Sequence, residues 1–173
     1  KMPGDAEFRE IGFSETVHMD TMEVTAFPTM HDATGSCGYR FTMADGQTCA
    51  VCTDLGCVTP EVEAGVFGAD LVLLEANYDP KMLRCGPYPA ALQARIRGEY
   101  GHLSNGDSAG MAEELIAHGT TRIVLGHLSE KNNTMPLAQQ TVLEHLQEQG
   151  MRRNQDFLMQ VASPEGLEQA VIF

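Results

Sequence analysis

At 173 residues, 43% of them hydrophobic and 17 of them glycine, the chain can bury one sizeable core and is too apolar to remain disordered. A formal net charge of −13 excludes broad electrostatic attraction to nucleic acid or anionic lipid, so a phosphate-bearing substrate must be met by a local positive site such as a bound metal ion. No apolar run approaches the ~20 residues needed to cross a bilayer, and five cysteines without regular spacing predict reduced thiols in a cytoplasmic setting.

The opening residues, Lys1-Met-Pro-Gly-Asp5, are neither a basic n-region nor an apolar h-region. From Glu7 to Phe27 the chain reads as short strands, with Met22, Val24 and Ala26 alternating against Glu23 and Thr25. His18-Met-Asp20 within it reads as ordinary strand-edge sequence. Pro28 ends the run, and a loop of small and polar residues, 29–38, carries His31 and Asp32. Tyr39–Met43 and Thr48–Thr53 form a hairpin about Asp45-Gly46, which supplies the positive φ of the turn. The second arm ends in a polar corner, Asp54-Leu-Gly56.

Strands then alternate with helices. Thr59-Pro60 starts a helix over 60–67, the threonine capping free amides and the proline occupying a position that needs no donor. Asp70–Glu75 is a buried strand, followed by short helices at Pro80–Arg84 and Pro89–Arg97. Ser104-Asn-Gly-Asp107 resembles a capping box for a helix that runs to Ala117 and closes at Gly119. Ile123-Val-Leu125 is apolar on both faces, as a central strand covered by helices should be. Gly126 frees the backbone after it, and His127, Ser129, Asn132 and Asn133 follow. A histidine there is a metal ligand, an acid–base group, or only a local cap of the strand end. A helix over Pro136–Gln149 presents Leu137, Val142, Leu143 and Leu146, and Phe157–Val161 and Ala170–Phe173 are closing strands. Without repeats, linkers or low-complexity tracts, residues 1–173 read as one domain.

Three strand ends thus carry polar corners: His31-Asp32, Asp54 and His127. A fourth cluster, Gly101-His-Leu-Ser-Asn105, precedes a helix. Imidazole and carboxylate groups from separate strand ends suit a hydrolytic site for zinc, manganese or iron, in which a carboxylate bridges two ions. Cys49 and Cys52 have a redox or zinc spacing, but a strand points them to opposite faces and no second pair follows. His118 and His145 fall on helices without ligand spacing and read as surface residues.

Several strings carry a family resemblance. Thr29-Met-His-Asp-Ala33 with Gly38-Tyr39, Cys52-Thr-Asp-Leu-Gly56, Leu74-Glu-Ala-Asn-Tyr-Asp-Pro-Lys-Met-Leu83, Gly86-Pro-Tyr-Pro89, Arg95-Ile96, Gly101-His-Leu-Ser-Asn105 and Leu125-Gly-His-Leu-Ser-Glu-Lys-Asn-Asn133 resemble the C-terminal half of metallo-β-lactamase-fold hydrolases of the YycJ/WalJ type. The resemblance covers about residues 20 to 150. It implies an α/β fold, an αββα sandwich or the C-terminal half of one, with two divalent ions and exonucleolytic hydrolysis of DNA phosphodiesters. Carried over by position, it makes His31 a ligand of one metal, Asp54 the bridge and His127 a ligand of the other. His102 becomes the group that protonates the departing oxygen, and Asn105 with the following helix amides steadies a phosphate oxygen.

The family's His-x-His-x-Asp-His string does not occur in this chain. The expectation is therefore a fragment, a processed product or a C-terminal half that binds metal weakly, is inactive alone, and exposes an apolar sheet face inviting self-association or pairing with the N-terminal half. A non-catalytic binding or scaffold module derived from the fold is the alternative. Convergence of His31, Asp54 and His127 on one point discriminates the two.

Overall fold

The structure, a computed structural model, describes residues 10–163. Seven strands, β1 (Thr16–His18), β2 (Met22–Pro28), β3 (Cys37–Met43), β4 (Thr48–Cys52), β5 (Leu71–Glu75), β6 (Arg122–Gly126) and β7 (Leu158–Val161), lie side by side in chain order in one sheet. β1 to β4 pair antiparallel, and β4 to β7 pair parallel. Being two antiparallel steps from β4, β2 runs the same way as β4, β5 and β6. With β7, five strands therefore finish at one edge of the sheet.

Helices fill the parallel crossovers: α1 (Pro60–Val66) after β4; α2 (Pro80–Cys85), α3 (Ala90–Ile96) and α4 (Asn105–Ala117) after β5; α5 (Met135–Glu148) after β6. Their starts follow local chemistry. Proline occupies the first turn of α1, α2 and α5, and the side chains of Thr59, Asp79 and Thr134 accept from the amides of Val62, Met82 and Leu137. At α4 Ser104 and Asp107 form a reciprocal capping box.

Alternation along the strands divides the sheet into two faces. Ala50, Cys52, Val72, Leu74, Ile123, Leu125 and Met159 pack with Val62 and Val66 of α1, Ala112 and Leu115 of α4, and Val142 and Leu146 of α5 in the main core. The intervening Tyr39, Phe41, Val51, Leu71 and Leu73 of the other face are only half-buried. A mixed sheet with one helical layer is the βα half of an αββα sandwich. Tyr78, Leu83 and Ile96, with Tyr88 and Leu92 against them, form a second small cluster under α2 and α3.

Two expectations need adjustment. The positive φ after β6 belongs to His127 (+55°), not Gly126; a Cβ on Gly126 would instead lie 2.8 Å from the Leu73 side chain. On α5 the buried position is Ala138, while Leu137 is only half-buried, because Ala138, Val142 and Leu146 follow the i, i+4 stripe. The strand expected at Ala170–Phe173 lies outside the described residues. Among the described residues, no helix is long and apolar enough to cross a membrane.

Candidate metal and phosphate site

The shared direction of β2, β4, β5 and β6 gathers chemistry from distant parts of the chain at one edge. His31 follows β2, Asp54 follows β4, Glu75 ends β5, His127 follows β6, and His102 comes from the loop before α4. Strand C-terminal ends are where open α/β sheets hold ligands. Asp54 (φ +56°) and His127 (φ +55°) both adopt the left-handed conformation, uncommon for residues with a Cβ, and so turn the chain sharply where each strand stops. Gly56 lets the loop before α4 close against the Asp54 corner: a Cβ there would meet the carbonyl oxygens of Gly98 and Glu99 at 2.4 Å. His102 is thereby brought beside Asp54.

The imidazoles are oriented from behind. His31 Nδ1 lies 2.8 Å from the carbonyl of Gly101, and His127 Nδ1 lies 2.7 Å from Glu75 Oε1; an acceptor at each Nδ1 fixes the proton there and leaves Nε2 its lone pair. Both Nε2 atoms then face Asp54 Oδ1, at 3.6 Å from His31 and 3.7 Å from His127. These separations are too long for hydrogen bonds. They approach the ~3.3–3.6 Å between neighbouring donors around a tetrahedral ion with ligand bonds of about 2.0–2.2 Å. Ligand atoms of His31, Asp54 and His102 lie within 4.8 Å of one another, as do those of Glu75, His102 and His127, and such sets of imidazoles and a carboxylate fit a divalent cation such as zinc, with Asp54 standing between His31 and His127. His102 stands within the same group: its Nδ1 is 3.9 Å from Asp54 Oδ1, and its ring centroid is 4.8 Å from that of His31 and 5.3 Å from that of His127.

Glu75 is the residue that sequence reasoning passed over. Its carboxylate is fully buried; Oε1 accepts from Nδ1 of both His102 and His127, each at 2.7 Å, and Oε2 accepts from the amide of Leu55 at 3.1 Å. Burial raises its pKa, but the hydrogen bonds of the two histidines, the charge of His102 and the Leu55 amide outweigh it, and the net direction is downward. The partner effect is seen at His127, where the hydrogen bond to Glu75 outweighs burial and raises the imidazole above its ordinary value. The signal in the sequence was a charged residue closing an apolar strand, a placement that only a partnered carboxylate tolerates.

The remaining predicted residues fall into place differently. Asn105 is fully buried and exchanges amide hydrogen bonds with Asn133, which also donates to Ala76 O, so its side chain joins the helix start to the 129–133 loop and does not line the cleft. The first turn of α4 already carries the Asp107 carboxylate, and the Asp107 amide is taken by Ser104, which makes this helix start a poor phosphate cradle. Asn132 and Asn133 are buried in the loop, as expected of shaping residues, and Ser129 lines the cleft. Cys49 is half-buried and Cys52 fully buried on the helix face, where burial and Glu75 push its thiol up to about 12, so the pair is not a zinc or redox motif. His145 pairs with Glu113, and His118 stacks on Phe67, both away from the site.

The cleft has a volume of about 400 Å³. Its floor is His31, Asp54, His102 and His127, and its side wall is Tyr88, Leu92 and Arg95 from α3 and the segment preceding it. Arg95 makes a two-pronged ion pair with Asp32, whose pKa is lowered by it.

Residues 3–128 match the beta-lactamase superfamily domain. Exodeoxyribonuclease WalJ of Streptococcus pneumoniae serotype 2 is 35% identical over 156 residues, which are 90% of this chain and 57% of that protein. Exodeoxyribonuclease YycJ of Bacillus anthracis is 33% identical over 144 residues, 83% of this chain and 54% of that protein. The chain therefore spans about half the length of these curated relatives. In structure, the metallo-β-lactamase-fold protein YhfI from Bacillus subtilis superposes with a TM-score of 0.60 at 14% identity, covering 91% of this chain and 52% of that one.

Proposed function

Since the chain belongs to the beta-lactamase superfamily, in the metallo-β-lactamase-fold YycJ/WalJ type, we propose that it carries one side of the active site of a metal-dependent phosphodiesterase acting as an exonuclease on DNA. The observation that carries this reading is the meeting of His31 Nε2 and His127 Nε2 at Asp54 Oδ1, at 3.6 and 3.7 Å. A scaffold has no use for such convergence. His31, Asp54 and His127 would hold divalent ions, zinc or manganese, two of them in the complete enzyme. When bound, such ions supply Lewis-acid stabilisation of phosphate charge and lower the pKa of a water.

The chain's own residues do the rest. Glu75, ionised, accepts the Nδ1 proton of His102, and His102 in its doubly protonated form would give its Nε2 proton to the departing sugar oxygen. The same carboxylate makes His127 a stronger donor toward a cation. The local cations of the site offset the charge of −13 for a polyanionic substrate. The free thiols of all five cysteines fit a cytoplasmic setting.

With three ligands in this chain, binding of ions is weak and hydrolysis by the chain alone is absent. Calorimetric titration of zinc and manganese into the purified chain tests the reading, with His127→Ala as control. Binding in the micromolar range that is lost in the variant is expected. No heat in the wild type, or equal heat in His127→Ala, rejects the proposed ligands. Metal-dependent DNA hydrolysis by the chain alone would overturn the reading that three ligands are too few for activity.

A further inference from the structure

We propose that the wall formed by Arg95 and Tyr88 is the subsite for a nucleotide of the substrate strand, Arg95 taking a phosphate and Tyr88 a base or sugar face; this rests on the phosphodiesterase reading above. The cleft floor carries the Asp54 carboxylate, and among the described residues lining the cleft Arg95 is the only permanent cation. It is held at the floor. Asp32 Oδ1 lies 2.7 Å from Arg95 Nη2 and 3.5 Å from His31 Nε2, so a single carboxylate oxygen separates the guanidinium from a proposed metal ligand.

The ion pair leaves part of the fork available. Nε and Nη2 are used by Asp32, and Nη1 makes no hydrogen bond to the described residues. A guanidinium held in this way is pre-oriented, with donors left over for a second anion in the plane of the first. A purely structural ion pair would not need to face a cleft, and at an exposed site it would add little stability.

Tyr88 completes the chemistry. It is half-buried, packs against Ile96 and the small cluster of Tyr78 and Leu83, and its carbonyl accepts from Gln93 Nε2 at 2.9 Å, which ties its segment to α3. One aromatic face beside one arginine is the minimal apparatus for a stacked nucleotide, and stacking on an aromatic side chain contributes about 1–3 kcal/mol per base without reading its identity. The excursion through α2 and α3 thus has a use beyond joining β5 to α4: it raises a nucleotide-binding wall over the floor.

The test is fluorescence anisotropy of a 5′-phosphorylated, 3′-fluorescein oligothymidylate with the full chain at low salt, with manganese and without. Arg95→Ala is expected to weaken binding at least tenfold, Arg95→Lys less, and Tyr88→Leu several-fold. Arg97→Ala removes the same charge from the end of α3 outside the cleft and should change binding less than twofold; Arg97 Nε bonds to Gln93 O. Equal losses in Arg95→Ala and Arg97→Ala overturn the proposal, as do wild-type affinity in folded Arg95→Ala and Tyr88→Leu, or no oligonucleotide binding by the wild type. Calorimetry of manganese on the same variants separates the two readings. Manganese binding that survives in Arg95→Ala with unchanged oligonucleotide affinity sinks the wall alone. Arg95-dependent oligonucleotide binding by a chain that takes up no manganese sinks the metal reading and leaves the wall.

Discussion

Asp54 sits at φ +56° and its side chain is 43% exposed, so its conformation is held by the strand end on one side and the Gly56 contact on the other, not by its own side-chain hydrogen bonds. A Cβ in this region costs about 1 kcal/mol. Asp54→Gly is expected to melt above Asp54→Ala by a few degrees, corresponding to about 1 kcal/mol, while both lose zinc binding; the reverse order in thermal melts would show that the backbone there is unstrained. Glu75 is the opposite case, a buried group on which two histidines depend. Its lowered pKa contributes stability that is present above the ordinary 4.5 and is lost as pH falls through the folded value. The raised pKa of His127 contributes stability that is full below the ordinary 6.5 and is lost as pH rises through the folded value. In chelator-treated protein the stability maximum therefore lies between about pH 4.5 and 6.5, and Glu75→Gln flattens the alkaline decline. Urea melts across pH 4 to 9 check this; a wild-type maximum at pH 8 would contradict the coupling.

At the scale of elements, the site depends on loops that approach more closely than side chains allow. Gly56→Ala places a methyl at 2.4 Å from two backbone oxygens of the 98–99 turn, so one of the two loops must move. A loss of about 1–3 kcal/mol is expected, together with weaker zinc binding, since the shift parts His102 and His31 from Asp54. Unchanged zinc affinity in a destabilised Gly56→Ala would separate loop packing from the site. Helix starts were legible beforehand because capping is local: Thr59-Pro60 and the Ser104–Asp107 box each lie within four residues of the helix they begin. The same box also shows why a helix start is not by itself a phosphate site, since its own carboxylate occupies the place.

On the scale of the whole molecule, one sheet carries helices on one face and presents Tyr39, Phe41, Val51, Leu71 and Leu73 on the other. An apolar face of this kind drives association when nothing covers it. We expect the purified chain to form dimers or larger species as its concentration rises, whether by its own copies or, when supplied, by the N-terminal segment of the family. Sedimentation that stays monomeric up to millimolar protein would count against it. Pairing would also bring further ligands to the edge where His31, Asp54 and His127 meet.

The alternating and periodic residues determined by themselves the kind and order of nearly every element, since a strand or an amphipathic helix is written in the spacing of its own side chains. The strings around His31, Asp54, His102 and His127 likewise resembled a metallo-β-lactamase-fold family before any coordinates. Only the tertiary structure decided what stands behind and beside them. Glu75 is 27 residues from His102 and 52 from His127, and its bridging of both depends on β5 lying next to β6 in parallel register. Asn105, expected to steady a phosphate oxygen, is held by Asn133 from 28 residues away. Arg95 lines the cleft with Leu92 and Ile96 of α3 and meets there Asp32, 63 residues distant. Such pairings depend on strand order and direction, which emerge from the burial of a whole face and are not contained in any single segment.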